Sequence, residues 1–225
     1  QQLKRQRYIE AAQAGELEFT PKVWQFLIEH RVHELAAEVL EELSCVERDK
    51  TGGELTLQVP HERAAAYFGA IPETEAADVL YRTLRSEQRS EHFQILIALT
   101  VEAGLVDFQR IKSLLETGPF EARKRALELL LYDPPTYEST DIDRLTNIIR
   151  VIDLVFEERG ERFVREREFG MQEMWRCTCG TEMDIEEIHC QICGKDRRGF
   201  RADETRPETV ISLLEKKVQI LKRSM

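Results

Sequence analysis

Apolar positions recur along most of this chain at three- and four-residue steps, the spacing of one helix face. A first helix is predicted over 3–14, closed by Gly15. Thr20-Pro21 sets a capping hydroxyl before a proline at the first helical position, and Trp24, Leu27 and Ile28 follow on one face. From Val32, the series Leu35, Ala36, Val39, Leu40 and Leu43 keeps the i, i+3, i+4, i+7 rhythm, and Cys45 extends it as a small buried hydrophobe. Thr51-Gly52-Gly53 breaks the pattern. Leu55, Leu57 and Val59 then alternate ahead of Pro60, which predicts a short extended piece.

Helical spacing resumes over 61–69 and 72–85, and again over 91–103, with Ser90 as cap and Gly104 as terminator. In that third segment Phe93, Ile95, Leu96, Ile97, Ala98, Leu99 and Val101 leave almost no polar face, which marks it for the core. Asp107 caps a helix over 108–117, and Gly118-Pro119 separates it from another over 120–131. The helix starts at Ser90 and Pro119 have the character of stacked helix pairs, so the segment resembles HEAT-type repeats. An irregular helical bundle fits the same spacing.

Asp133-Pro134-Pro135 opens a loop, and Thr140-x-x-Asp143 has the form of a capping box. Ile142, Leu145, Ile149, Ile152 and Phe156 then form a seam that needs one partner helix. The mixed Glu/Arg run over 157–168 reads as a solvated helix face. Near the end, Thr205-Arg206-Pro207-Glu208 begins a helix whose Ile211, Leu214, Val218 and Leu221 fall at 3-4-3 spacing. That stripe predicts helix–helix contact with the main body, with the 142–156 seam, or with the same helix of a second chain.

The chemistry of the chain is concentrated in residues 175–194, WRCTCGTEMDIEEIHCQICG. Cys177 and Cys179 form one tight pair, Cys190 and Cys193 another, and each pair is followed by a glycine. Glycine there permits the sharp turn that aims backbone N–H groups at sulfur. Two such knuckles close one four-thiolate site, which suits zinc and leaves it no open position for water. Zinc is therefore expected as a structural ion, with His189 as an alternative ligand beside the complete cysteine set. Two disulfides are the competing reading, but a C-x-C disulfide is strained.

The spacing W-x-C-x-C-x10-C-x2-C, from Trp175 to Cys193, resembles the Ran-binding-protein type of zinc finger and, more loosely, other small zinc ribbons. The resemblance implies a zinc-ribbon module with Cys177, Cys179, Cys190 and Cys193 as ligands and Trp175 as a packing or platform residue. That family's fingers bind single-stranded RNA or ubiquitin, a specificity that is not carried over to this chain. The first knuckle has one intervening residue where that family has two to four. Met183 stands where the family typically has an asparagine that reads RNA, and Gly180-Thr181 replaces the Thr-Phe pair of its ubiquitin-binding members. The C-x-C … C-x-x-C arrangement also resembles the switch of a redox-regulated heat-shock chaperone, whose pairs lie further apart.

Charge narrows the nucleic-acid reading. Lys195–Arg201, KDRRGFR, offers Arg197, Arg198 and Arg201 with Phe200 to stack on a base. Within 176–206, however, Arg176, Lys195, Arg197, Arg198, Arg201 and Arg206 meet Glu182, Asp184, Glu186, Glu187, Asp196, Asp203 and Glu204. The net charge of the 225-residue chain is −10, which argues against wholesale wrapping of nucleic acid. Apolar residues at 42% allow a real core, and no apolar run approaches the ~20 residues of a membrane span. QQLKRQRY has no apolar leader, and without an initiator methionine residues can precede it. An odd count of five cysteines suits a reducing compartment, so the expected location is cytoplasmic.

Catalytic signatures are missing from the sequence: there is no phosphate-binding glycine loop, dinucleotide fingerprint or nucleophile elbow. His30 and His33 share a helix spacing but have no third ligand in view, and they read as surface residues. The sequence thus predicts an all-α protein, a multi-helix bundle or short HEAT-like α-solenoid over 1–169. A zinc-ribbon module at 170–202 and a terminal amphipathic helix at 203–225 complete it. The expected function is a non-enzymatic protein–protein interaction or adaptor role, with a homodimer through the C-terminal helix among the expected associations. A single-stranded RNA-binding regulator using Trp175, Arg197, Arg198, Phe200 and Arg201 is the alternative, followed by a thiol–zinc redox switch.

Overall fold

A computed structural model describes residues 2–44, 58–86, 90–132, 138–168 and 170–225. Among them are ten α-helices and one three-stranded antiparallel sheet. The chain divides into two compact units, one of Gln1–Leu114 with Gly118–Arg125, the other of Leu115–Thr117 with Ala126–Met225.

The first unit begins with α1 (Gln2–Gln13), which Gly15 ends in the left-handed conformation at φ 70°. Nothing on α1 is buried; it is tied down by its Tyr8 ring against Phe26 and by Arg5, whose Nη2 lies 2.7 and 2.6 Å from the two oxygens of Glu34. Thr20 caps α2 (Pro21–Glu29), its hydroxyl accepting from Val23 N, with Pro21 at the first position as its fixed φ favours. Val23, Trp24, Phe26 and Leu27 are the buried face. A turn of 3₁₀ helix, His33–Leu35, leads into α3 (Ala36–Ser44).

Next, α4 (Gln58–Ala70) takes in Val59, which the alternation had assigned to an extended piece, and Pro60, which had marked the end of that piece. A proline so close to a helix start costs little, because the first N–H groups have no partner within the helix. Leu55, Leu57 and Cys45 lie outside the described residues. Tyr67 and Phe68 of α4 are fully buried, and α5 (Glu73–Ser86) adds Leu80, Tyr81 and Leu84. Leu96, Ile97 and Leu99 of α6 (Ser90–Glu102) are likewise buried, as its nearly continuous apolar run requires; Phe93 lies outside the described side chains. The carboxylate of Asp107 caps α7 (Phe108–Thr117) by accepting from Gln109 N and Arg110 N. Tyr81 reaches this turn: its hydroxyl accepts from Asp107 N at 2.8 Å. After Gly118 the chain re-enters a helix as α8 (Phe120–Tyr132).

In the second unit the capping box sits earlier than the sequence suggested. Glu138 and Asp141, rather than Thr140 and Asp143, exchange backbone-to-side-chain bonds at a 3₁₀ turn, Ser139–Asp141, before α9 (Ile142–Val155). Leu145, Ile148, Val151 and Ile152 of α9 are buried. The partner they need is the terminal helix α10 (Pro207–Arg223), which packs against α9 and buries Val210, Leu214 and Val218. Ile211 and Leu221 are half-buried, and Met225 is exposed.

The Glu/Arg run is the largest departure from an all-α protein. It forms β1 (Glu161–Arg167), a strand paired along its whole length with β2 (Gly170–Arg176), and β2 pairs in turn with β3 (Glu182–Asp184). Charged side chains stand on both faces of β1, so the period-two alternation that marks a half-buried strand is missing. The protein is mainly helical with a small antiparallel sheet, and the cysteine module grows out of that sheet. Among the described residues no helix is long and apolar enough to cross a membrane.

Candidate metal centre

The four cysteines meet at one point. Cys177 leaves the end of β2, Cys179 follows on the turn before β3, and Cys190 and Cys193 form the second turn beyond β3. Each turn closes through its backbone: Gly180 N donates to Cys177 O and Gly194 N to Cys190 O, both at 2.8 Å. Gly180 and Gly194 adopt φ of 90° and 71°, a region that side chains with a Cβ avoid. The four sulfur atoms all lie within 4.8 Å of one another. Cys177 Sγ is 3.5 Å from Cys193 Sγ, and Cys179 Sγ is 3.6 Å from Cys190 Sγ. Disulfide sulfurs are ~2.0 Å apart, and none of the four is so bonded. A tetrahedron with metal–sulfur bonds of ~2.3 Å has edges of ~3.8 Å, so the set fits one ion. Among the described residues this is the one such group of ligating side chains.

The surroundings sort the thiols. Cys177 and Cys190 are buried and Cys179 is exposed. Without an ion, burial pushes the Cys177 thiol up to about 12, whereas the Thr181 hydroxyl, 3.2 Å from Cys179 Sγ, brings that thiol down to about 6. Burial raises Cys190 too, but the N–H groups of Cys193 and Ile192 offset it and leave the thiol below its ordinary range. A bound divalent ion would deprotonate all four. His189 is not among the converging ligands; its Nε2 lies 3.2 Å from Arg206 Nη2.

Behind the ligands lies a small core of Trp175, Cys177, Met183 and Cys190. Trp175 is fully buried, and its Nε1 donates to Glu187 O at 2.9 Å. Met183 faces Trp175 across the β2–β3 pair and is buried, which accounts for an apolar residue where a base-reading asparagine would stand. Arg197 lies over the Trp175 ring at 5.7 Å and donates to Ile185 O. Its own carbonyl accepts from Arg159 N and Gly160 N, so Lys195–Arg201, the exit loop of the cysteine module, is bonded to the chain entering β1.

These contacts redefine the residues proposed to bind a nucleic acid. Trp175 and Phe200 are both 0% exposed, and the Phe200 ring lies 5.4 Å from that of Phe156. Neither offers a face to a base. Arg198 is paired with Glu208, and Arg206 lies 3.5 Å from Asp196. Of the set, Arg201 is exposed at its side chain, while its N–H donates to Glu204. A cleft of about 340 Å³ beside the exit loop mixes Arg197, Arg198 and Arg206 with Glu158, Glu186, Asp196 and Glu208, so its charges offset one another. His30 rests against the Phe26 ring and His33 beside Glu34, well apart from the cysteines in sequence and in the other unit.

Sequence reasoning missed Asp196. Its Oδ1 accepts from Arg198 N and Phe200 N, both at 2.9 Å, and this turn drives Phe200 inward. The signal was present as Asp-x-x-Gly, a turn composition, with Gly199 at φ 94°. No family model matches the chain, and neither a curated protein nor a solved structure does.

Proposed function

We propose that the four-thiol centre holds a structural zinc ion and that the chain is a non-enzymatic interaction or adaptor protein of a reducing, cytoplasmic compartment. The convergence of Cys177, Cys179, Cys190 and Cys193 within 4.8 Å carries this reading. Four thiolates complete a tetrahedron, so no coordination site is left for water or substrate, and the ion contributes folding energy instead of chemistry. Around the second knuckle, Ile188 and Ile192 are 68% and 77% exposed, apolar side chains on a rigid, metal-fixed turn. Such residues suit protein contact better than catalysis. The burial of Leu214 and Val218 against α9 weighs against a homodimer through α10. The burial of Trp175 and Phe200 weighs against the single-stranded RNA reading.

Two measurements test the proposal together. Elemental analysis should find one zinc per chain, and cobalt substitution should give the intense visible spectrum of a four-thiolate tetrahedral site. Affinity purification from the native cell should then recover a partner with the intact chain and lose it with Ile188→Asp/Ile192→Asp at unchanged zinc content. A cobalt spectrum of fewer than four thiolates, or partner recovery indifferent to both substitutions, overturns the respective half.

A further inference from the structure

The order β1-β2-β3 leaves β1 bonded on one side only among the described residues. Arg167 pairs with Gly170 at the closed end of the hairpin, across two intervening positions. So tight a connection closes on a hydrogen-bonded pair, and the ladder alternates from there. The N–H and C=O groups of Glu161, Phe163, Arg165 and Arg167 therefore face β2. Those of Arg162, Val164 and Glu166 face outward.

An open edge is usually guarded by charge, and β1 carries charge at most positions. The order of those charges is self-complementary. Laid antiparallel on a second copy of itself about Val164, ERFVRER sets Glu161 opposite Arg167, Arg162 opposite Glu166, and Phe163 opposite Arg165. Each pairing occurs twice by the two-fold axis. The outward-facing residues are also the ones this register brings together, 162 with 166 and 164 with 164, so backbone and charge specify the same alignment. Sliding by two positions toward the hairpin end puts Arg165 on Arg165. Sliding the other way leaves Glu166 and Arg167 with nothing opposite on the strand, and an in-register parallel pairing sets like charge on like throughout.

The face around Val164 is open, while Glu161 and Arg165 are paired within the chain to Arg176 and Glu182, pairs that a second strand must displace. Val164 is 56% exposed at the centre of the strand, and Met171, opposite Glu166 on the same face, is 70% exposed. Phe163 already lies 5.1 Å from the Arg176 guanidinium, a ring open to cations, and Arg165 of a second copy would approach it from the other side. Arg162 is held by an exposed ion pair to Glu158 at 2.7 Å, which water screens and a cross-strand partner can replace. We infer that two copies of this chain associate through β1, antiparallel and centred on Val164, joining two three-stranded sheets into one. The pairing is independent of which ion the cysteines hold.

Analytical ultracentrifugation of the full, metal-loaded chain tests it. A protomer of 26.3 kDa should sediment at twice that mass as concentration rises, and the association should weaken with added salt. Arg162→Glu and Glu166→Arg each set like charges opposite and should weaken self-association about tenfold or more. Mixing the two variants restores both pairings, so the mixture should dimerise as the parent does. Val164→Pro removes an outward N–H at the axis and should abolish the dimer at unchanged circular dichroism and metal content; should it disturb the fold, the charge-reversal pair decides alone. A single-protomer mass at every concentration, a dimer unmoved by Arg162→Glu, or a mixture no tighter than its components would overturn the inference.

Discussion

Gly160 has no side chain where the Trp175 ring needs the space. A Cβ built on it would stand 2.9 Å from Cε3 of that ring and 3.4 Å from Cζ3. The indole cannot retreat, because it is fully buried and its Nε1 is bonded to Glu187 O. Gly160 N itself donates to Arg197 O, so the backbone is also fixed. Gly160→Ala should therefore destabilise the second unit by about 1–3 kcal/mol, the usual cost of overfilling a packed site. Denaturant unfolding followed by tryptophan fluorescence would measure it, and an unchanged midpoint would mean that the ring relaxes freely.

How much of this was legible beforehand depends on where the information is local. The knuckles are local: residue type and spacing within a few positions define Cys177, Cys179, Cys190 and Cys193, and the structure brings those four together. The helix caps at Thr20 and Asp107 are legible for the same reason. The hairpin was not, because Glu161–Arg167 carries charge on both faces and gives neither helix nor strand periodicity. Phe200 was misread because its partner, Phe156, is remote in sequence while its neighbours are arginines. The neighbouring arginines suggested an exposed loop; the Asp196 turn and long-range packing put the ring inside.

Tyr67 anchors the first unit through one bond that a conservative change can remove. Its hydroxyl donates to Val32 O at 2.6 Å and the ring is fully buried. Tyr67→Phe keeps the packing but strands a buried carbonyl, which should cost about 1–3 kcal/mol. Burial, with Glu34 and Glu38 nearby, also pushes the phenol's pKa well above its usual value. A neutral form favoured by folding contributes fully below the unfolded pKa, and the contribution falls as pH rises through ~10. The wild-type stability should therefore drop at alkaline pH more steeply than that of Tyr67→Phe, as paired urea titrations at pH 8 and 11 would record.

Arg5 and Glu34 make the opposite case in acid. Burial raises Glu34, but the Arg5 bonds at 2.7 and 2.6 Å outweigh it and hold the carboxyl below its usual range. Such a group stabilises above its unfolded pKa, and the stabilisation is lost as pH falls through the lower folded value. Both side chains are about one-third exposed, so the pair is worth at most ~1 kcal/mol. Arg5→Ala should loosen α1, which buries no side chain of its own, at neutral pH, with the Tyr8–Phe26 contact still in place. Hydrogen exchange of the α1 amides should separate the variant from the parent at pH 7 and merge them near pH 3.

Removing the ion proposed for the four cysteines should affect the two units unequally. All four ligands and the Trp175 core lie in the unit containing Ala126–Met225, whereas α1 to α6 belong to the other. Cys177 and Cys190 are buried, and as free thiols they would leave that small core without the bonds that join its two turns. Stripping the metal with a strong chelator, or replacing Cys177 by Ser, should expose Trp175 and red-shift its emission. Trp24, buried in the first unit, should keep its environment, and most of the helical dichroism should persist. Because binding displaces protons from thiols, retention should also weaken as pH falls, with metal release and the fluorescence change sharing one midpoint. Two separate midpoints would mean that the turns hold their shape without an ion.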